Sequence, residues 1–295
     1  MSKFWLAFSG ALVLAAIICT AVFGLNFGID FTGGSLIEAK FEQSVSTNDV
    51  RDAVSSAGFE SVVQQGGEDN SYLIRTEDVT REQHDAILSA LTEQLGNNEE
   101  LRFESIGPVI GQELKRKSLE AVVLLLVLIV LYVAWAFRKV SKPVASWKYG
   151  VLTIIAAMHD VILPVGVFAI LGKVFGYQID TAFIAAVLTI LGYSINDTIV
   201  VFDRTRENLV AGRHSDESFA EIVDKSVVQT LGRSVNTSFT TMLVLLAIFI
   251  FGGDTTRSFV LALMIGVFSG AYSSIFVASP LLVEWEKWSN RKGRK

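Results

Sequence analysis

Three ionisable side chains sit where the surrounding sequence is otherwise apolar. Asp160 follows His159 in the middle of the run 149–171, with Pro164 one turn later. Asp197 lies in Gly192-Tyr-Ser-Ile-Asn-Asp-Thr198, inside the run 182–202, and Arg233 opens the run 234–252. A charged aspartate at the centre of a helix in hydrocarbon costs at least about 2.5–3.5 kcal/mol, so each of these groups is a candidate for function. The chemistry on offer is reversible protonation. Burial disfavours the carboxylate and a guanidinium beside it favours it, so an Asp–Arg pair between helices can pass between charged and neutral states at modest cost. Thr189, Tyr193 and Asp197 recur at four-residue spacing and form a polar stripe with Asn196 beside it; Thr237 and Thr241 continue the face of Arg233 in the same way. An interhelical salt bridge that only fixes packing uses the same residues. His159 fits either a proton relay or a histidine satisfied by a neighbouring helix. Asp203 and Arg204 stand at the edge of the apolar run and read as a solvated pair.

The elements that carry these groups are membrane spans. The chain has 295 residues, 51% hydrophobic and 19% charged, with a mean hydropathy of +0.46, which is too apolar for a soluble domain of this size. Crossing about 30 Å of hydrocarbon takes roughly 20 helical residues. Six stretches qualify, near 4–24, 118–137, 149–171, 182–202, 234–252 and 258–283. The first resembles a signal peptide but is longer than a typical apolar core and is followed by five more spans, so it is expected to be retained. Lys and Arg concentrate in three connecting segments: Arg138, Lys139, Lys142 and Lys148; Arg204, Arg206, Arg213 and Lys225; and Lys287, Arg291, Lys292, Arg294 and Lys295 in the basic tail 284–295. This bias places those segments and both termini in the cytoplasm and residues 25–117 on the far side. Ala262, Gly266, Gly270, Ser274 and Ala278 repeat every four positions in the last span and give a smooth face for close helix packing.

Residues 25–117 carry 17 acidic against 8 basic residues and change periodicity as an α+β domain does. Strands are expected at 35–41, 61–65, 71–76 and 101–105. One helix runs from a Ser46 or Thr47 cap to about residue 57, and another starts at the Thr80–Gln83 capping box. The order βαββαβ is that of a ferredoxin-like split, and about 90 residues suffice to bury its own core. Near 215–231, Phe219, Ile222, Val223, Val227 and Leu231 share one face of an amphipathic helix that Ser215 can cap, expected to lie along the membrane surface before the fifth span.

Other chemistries are poorly provided for. Cys19 is the only cysteine, which rules out an internal disulfide or a paired-cysteine site. Gly33-Gly34 is followed by Ser35 without a lysine, so it is not a Walker loop. No His-Glu-x-x-His or Gly-x-Ser-x-Gly occurs, and three histidines are scattered. No enzyme activity, cofactor or metal is expected. The net charge of −5 and the absence of a basic, aromatic-interleaved stripe argue against nucleic acid.

Four segments, in order along nearly the whole chain, resemble the SecF members of the SecD/SecF protein-export family, within the resistance-nodulation-division superfamily. They are Gly28-Ile-Asp-Phe-Thr-Gly-Gly-Ser-Leu-Ile-Glu38, containing Asp30, Gly33 and Gly34; His159-Asp160-Val-Ile; Gly192 through Asp203-Arg204; and Gln229-Thr-Leu-Gly-Arg233 leading into Thr-Ser-Phe-Thr-Thr241. The resemblance implies a multi-pass inner-membrane protein that works with SecD, the SecYEG channel, SecA and the accessory protein YajC on an unfolded preprotein, drawing on the proton motive force. It also implies that Asp197 is the intramembrane proton-site aspartate and Arg233 its partner, near an interface with SecD; Asp160 is added to them from its motif. Two other readings remain open: a scaffold for SecD and the channel that moves no protons, and a small-molecule or lipid exporter of the same superfamily.

Overall fold

The computed structural model describes residues 2–66, 68–136, 145–211 and 217–292. It divides the chain into a helical unit, made of residues 1–25, 121–177 and 182–295, and an α+β unit, residues 26–120 with 178–181. Arg138, Lys139, Lys142, Arg213, Ser215, Arg294 and Lys295 lie outside the described residues.

The α+β unit follows the periodicity of its sequence. Strand β1 (Gly34–Phe41), helix α3 (Thr47–Ser56), β2 (Val62–Gln65), β3 (Ser71–Thr76), α4 (Arg81–Leu95) and β4 (Asn98–Ile106) form an antiparallel sheet in the order β2-β3-β1-β4, the arrangement of a ferredoxin-like split. Alternation on the strands sends Ile37, Ala39, Phe41 and Ile74 to one face. There they meet Val50, Ala53 and Val54 of α3 and Ile87 and Leu91 of α4. Both helices start at reciprocal caps. Ser46 accepts from the Asp49 main chain and Asp49 from that of Ser46, each at 3.1 Å, and the Ser46 hydroxyl and main-chain N–H beside it hold the Asp49 carboxyl below the usual range. Thr80 and Gln83 do the same for α4. Two features were not apparent in the sequence. A one-turn helix α2 (Ile29–Thr32) precedes β1, and helix α5 (Pro108–Ala136) begins within this unit, ten residues before the expected span.

Among the described residues, six helices are long and apolar enough to cross a membrane. They are α1 (Ser2–Phe23), α5, α6 (Ser146–Phe175), α7 (Thr181–Ala211), α8 (Phe219–Phe251), and a sixth in which α9 (Asp254–Ser273), a π-helical turn (Ser274–Ala278) and α10 (Ser279–Lys292) run on continuously. Several outlast the apolar runs, because a helix continues past the bilayer wherever its hydrogen-bond ladder is unbroken. The expected surface helix at 215–231 is corrected accordingly. Ser218 caps α8 with Glu221, and one helix then runs without a break through Arg233 to Phe251. Ile222 and Val223 are buried in that first stretch, and Val223 packs with Tyr149 and Phe202.

Small residues set the closest approaches. A Cβ at Gly166 of α6 would lie 2.4 Å from the Ala16 Cβ and 2.9 Å from its carbonyl oxygen on α1. One at Gly266 would lie 2.3 Å from Ile190 of α7, and one at Gly270 3.1 Å from the Ser194 Cβ. Gly166→Ala must therefore push α1 away from α6. It is expected to cost about 1–3 kcal/mol, read as a lower unfolding temperature of the purified chain in detergent; an unchanged temperature would show that these helices do not meet so closely.

Candidate functional site: two serine-bound carboxylates

Helix α6 carries Asp160 into the bundle, where it has no exposed surface. Its Oδ1 accepts from Ser269 at 2.7 Å and from His159 Nδ1 at 2.8 Å, and its Oδ2 accepts from Ser194 and Ser273, each at 2.5 Å. Three helices thus send donors to one carboxylate. Pro164 has no N–H and cannot make the i→i−4 bond to the Asp160 carbonyl, so the helix ladder is already open at this residue. His159 is buried and stacks on Tyr272, with ring centroids 6.0 Å apart; the Tyr272 hydroxyl shares a 2.8 Å hydrogen bond with Ser9 of α1. The other imidazole nitrogen, Nε2, is buried without a hydrogen-bond partner.

Asp197 lies one turn beyond Ser194 on α7. Its Oδ1 accepts from Ser234 of α8 and its Oδ2 from Ser274, each at 2.5 Å. Ser273 and Ser274 are consecutive, so the last span serves Asp160 with one residue and Asp197 with the next. The π turn begins at Ser274, whose carbonyl accepts from Ser279 Oγ at 2.9 Å. Such turns inside α-helices often mark functional sites. Two of these serines have a second acceptor on their own helix: Ser273 Oγ lies 3.3 Å from the Gly270 carbonyl and Ser274 Oγ 3.2 Å from that of Ala271. A hydroxyl can also turn from donor to acceptor, so the same shell can host a carboxylate or a carboxylic acid.

The residues singled out in the sequence divide between this site and the outside of the bundle. Asp160, Asp197, Gly270 and Ser274 belong to the site, and Gly266 packs one turn from it. Arg233 does not reach Asp197. It is exposed, without an ion pair among the described residues, while Ser234, turned about 100° from it on the helix, takes the place at the carboxylate. Thr189, Asn196 and Thr237 are exposed, and Thr189 and Thr237 donate to main-chain carbonyls of their own helices. Four-residue spacing drifts by about 40° per step, which carries Thr189 away from the Asp197 face. Tyr193 reaches Ser238 of α8 at 3.2 Å, and Thr241 bonds the Thr237 carbonyl. The serines at 194, 234, 269 and 273 were missed. In an apolar helix a serine looks like any small packing residue, and the only usable signal was the pairing of Ser269 with Ser273 at four-residue spacing.

In the α+β unit, Asp30 Oδ2 accepts from the main-chain N–H of Thr181 at 2.7 Å and from its hydroxyl at 2.6 Å. Gly33 and Gly34 have φ of 74° and 114°, a region that disfavours side chains. A Cβ on Gly33 would lie 2.8 Å from Pro108 Cα, and one on Gly34 2.6 Å from the Thr76 carbonyl oxygen.

These features define a multi-pass integral membrane protein with a polar, titratable core and a separate α+β domain. The family profile described as "Protein export membrane protein SecD/SecF, C-terminal" matches residues 87–288, and that of the "SecD/SecF GG Motif" matches residues 20–45. The chain is 46% identical to the protein translocase subunit SecF of Thermobaculum terrenum, over 93% of this chain and 89% of that one, and 39% identical to SecF of a Synechocystis strain, over 96% and 92%. The crystal structure of SecDF from Thermus thermophilus superposes with a TM-score of 0.86 at 37% identity, covering 97% of this chain but 38% of the SecDF chain. The chain therefore belongs to the SecD/SecF family, as a SecF-type subunit.

If the carboxylate organises the three helices around it, Asp160→Ala strands three hydroxyls and an imidazole N–H, whereas Asp160→Asn keeps one acceptor oxygen. The expected order of thermal stability in lipid–detergent micelles is native, then Asn, then Ala, with the alanine variant losing about 3 kcal/mol or more. An alanine variant as stable as the native chain would show that this shell does not hold the bundle.

Proposed function

We propose that this chain is the subunit of a Sec translocase that lets the proton motive force promote the late stages of protein export, with Asp197 as the proton-binding group and Asp160 as a second carboxylate linked to it. The observation that carries this reading is the pair of carboxylates joined through two helices, by Ser194 and Asp197 one turn apart on α7 and by the consecutive Ser273 and Ser274 on the last span. A proton arriving on Asp197 removes the charge that draws in Ser234 and Ser274. Both hydroxyls can then reorient, and the contact of α7 with α8 and with the π turn loosens together. One charge crossing 100 mV releases about 2.3 kcal/mol, enough to shift a two-state equilibrium by roughly fifty-fold without locking it.

The SecDF likeness supports SecD as the partner. Arg233, Asn196 and Thr237 are exposed on otherwise apolar helices, a placement that suits a protein neighbour better than lipid. Arg233 is then available to a carboxylate of SecD, or to Asp197 in another conformation. By the same family reading, the SecYEG channel, SecA, YajC and the unfolded preprotein complete the machine. The Lys/Arg bias of the connections supports a bacterial inner-membrane protein with both termini in the cytoplasm and the α+β domain on the far side.

The test is proton-gradient-dependent protein export in vesicles holding SecD and the channel, at matched levels of assembled complex. Asp197→Asn is expected to abolish the stimulation by the gradient. Equal stimulation of native and variant would rule the proposal out. A loss of assembled complex without a change in coupling would instead assign the carboxylate to a scaffold.

A further inference from the structure

The segment between α6 and α7 is part of the α+β unit, although the helices on either side of it are not. Ile179 forms a parallel bridge with Phe27: the Gly28 N–H donates to the Ile179 carbonyl at 2.9 Å, and the Ile179 N–H to the Asn26 carbonyl at 2.8 Å. Gln178, with its amide oxygen turned inward, accepts from Arg75 Nε at 2.7 Å. Burial pushes the Arg75 guanidinium down to about 10, a sign of how far it is withdrawn from water. Thr181 is the first residue of α7, and both its N–H and its hydroxyl go to the Asp30 carboxylate.

A helix start is ordinarily capped by the residues just before it. Here the acceptor comes from 151 residues away in the chain. That acceptor is itself held in place. Asp30 sits in the one-turn helix α2, and the two glycines that follow turn the chain in the left-handed region, so that the backbone can pass between Pro108 and the Thr76 carbonyl.

We propose that Asp30 is a positioning residue that makes the first turn of α7 a part of the α+β domain, so that any displacement of α7 that accompanies proton binding at Asp197 is delivered to that domain directly. Thr181 and Asp197 share one helix and lie roughly 24 Å apart along it, and the Asp30 bonds are made by a charged acceptor to two donors of a single residue, a strong and directional arrangement. This inference rests on the proton-coupled reading above, and it assigns to the Asp-Phe-Thr-Gly-Gly motif a mechanical role in that coupling.

The experiment uses the full chain with SecD and the channel in vesicles. Export with and without a proton gradient is measured for the native chain, Asp30→Ala, Asp30→Asn and Thr181→Val, together with amide hydrogen exchange at residues 178–184. Asp30→Ala is expected to speed exchange in the first turn of α7 and to lower the gradient-stimulated increment by roughly tenfold at matched complex levels, while gradient-independent export is retained. Asp30→Asn and Thr181→Val, each keeping part of the bonding, should fall between. A Phe27→Cys/Ile179→Cys pair in a Cys19→Ser background should restore stimulation to Asp30→Ala when oxidised and lose it again when reduced; a merely structural defect would not respond to that bond. Native stimulation and native exchange in Asp30→Ala would overturn the inference, as would a loss of gradient-independent and gradient-dependent export in equal proportion. If the native chain itself shows no stimulation, or Asp197→Asn keeps it, the proton-coupled reading fails instead, and the exchange measurement alone then decides whether Asp30 holds α7.

Discussion

An ionised carboxylate inside a bundle of apolar helices persists only where other groups take over the work of water, and this requirement governs the arrangement of the helical unit. Asp160 and Asp197 are solvated almost entirely by hydroxyls. Serine is the side chain that can do this without separating the helices, because it is small enough to sit at a close contact and carries one rotatable O–H. The close approaches at Gly266 and Gly270 serve the same end, since Ser194 and Ile190 of α7 must come within reach of the last span. Packing and polarity are therefore not separate features here. The small residues bring the helices near enough for the hydroxyls to reach the carboxylates, and the carboxylates give those helices a reason to stay together in a solvent that offers no hydrophobic drive between them.

The two carboxylates differ in how completely they are bound. Asp160 has four donors, one of them an imidazole, and lies beside a helix ladder already opened by Pro164. Asp197 has two hydroxyls and keeps a small fraction of exposed surface. Ser194 and Ser273 donate to Asp160 alone, and the two positions are connected through the helices that these serines share with Asp197 and Ser274.

Much of the architecture could be read from the residues alone. The α+β domain was legible because its strands alternate and its two helices open with reciprocal caps, both local properties of the chain. The buried aspartates were legible because a charge within an apolar run is costly and conspicuous. Their partners were not, because Ser234 and Ser273 carry no mark that separates a ligand from a filler, and because Arg233, the obvious counter-charge, points about 100° away from the contact that Ser234 makes. The segment 178–181 was hidden for a different reason. Its bonds to Asn26, Gly28 and Asp30 join parts of the chain about 150 residues apart, and no periodicity announces a contact of that kind. The lengths of α5 and α8 were underestimated since hydropathy marks where lipid is expected, whereas a helix ends where its hydrogen bonds do.

The π turn at Ser274–Ala278 places one more residue in its turn than an α-helix would. Such a surplus is conserved along a continuous helix: it can be moved to a neighbouring turn, but it cannot be lost without rotating everything beyond it by about 100°. Ser273 and Ser274 stand at the upstream edge of that surplus and α10 at its downstream edge. A shift of the extra residue one turn upstream would re-index the serines against the two aspartates and leave the phase of α10 unchanged. The last span thus changes its helical phase at the point where its serines meet the two carboxylates.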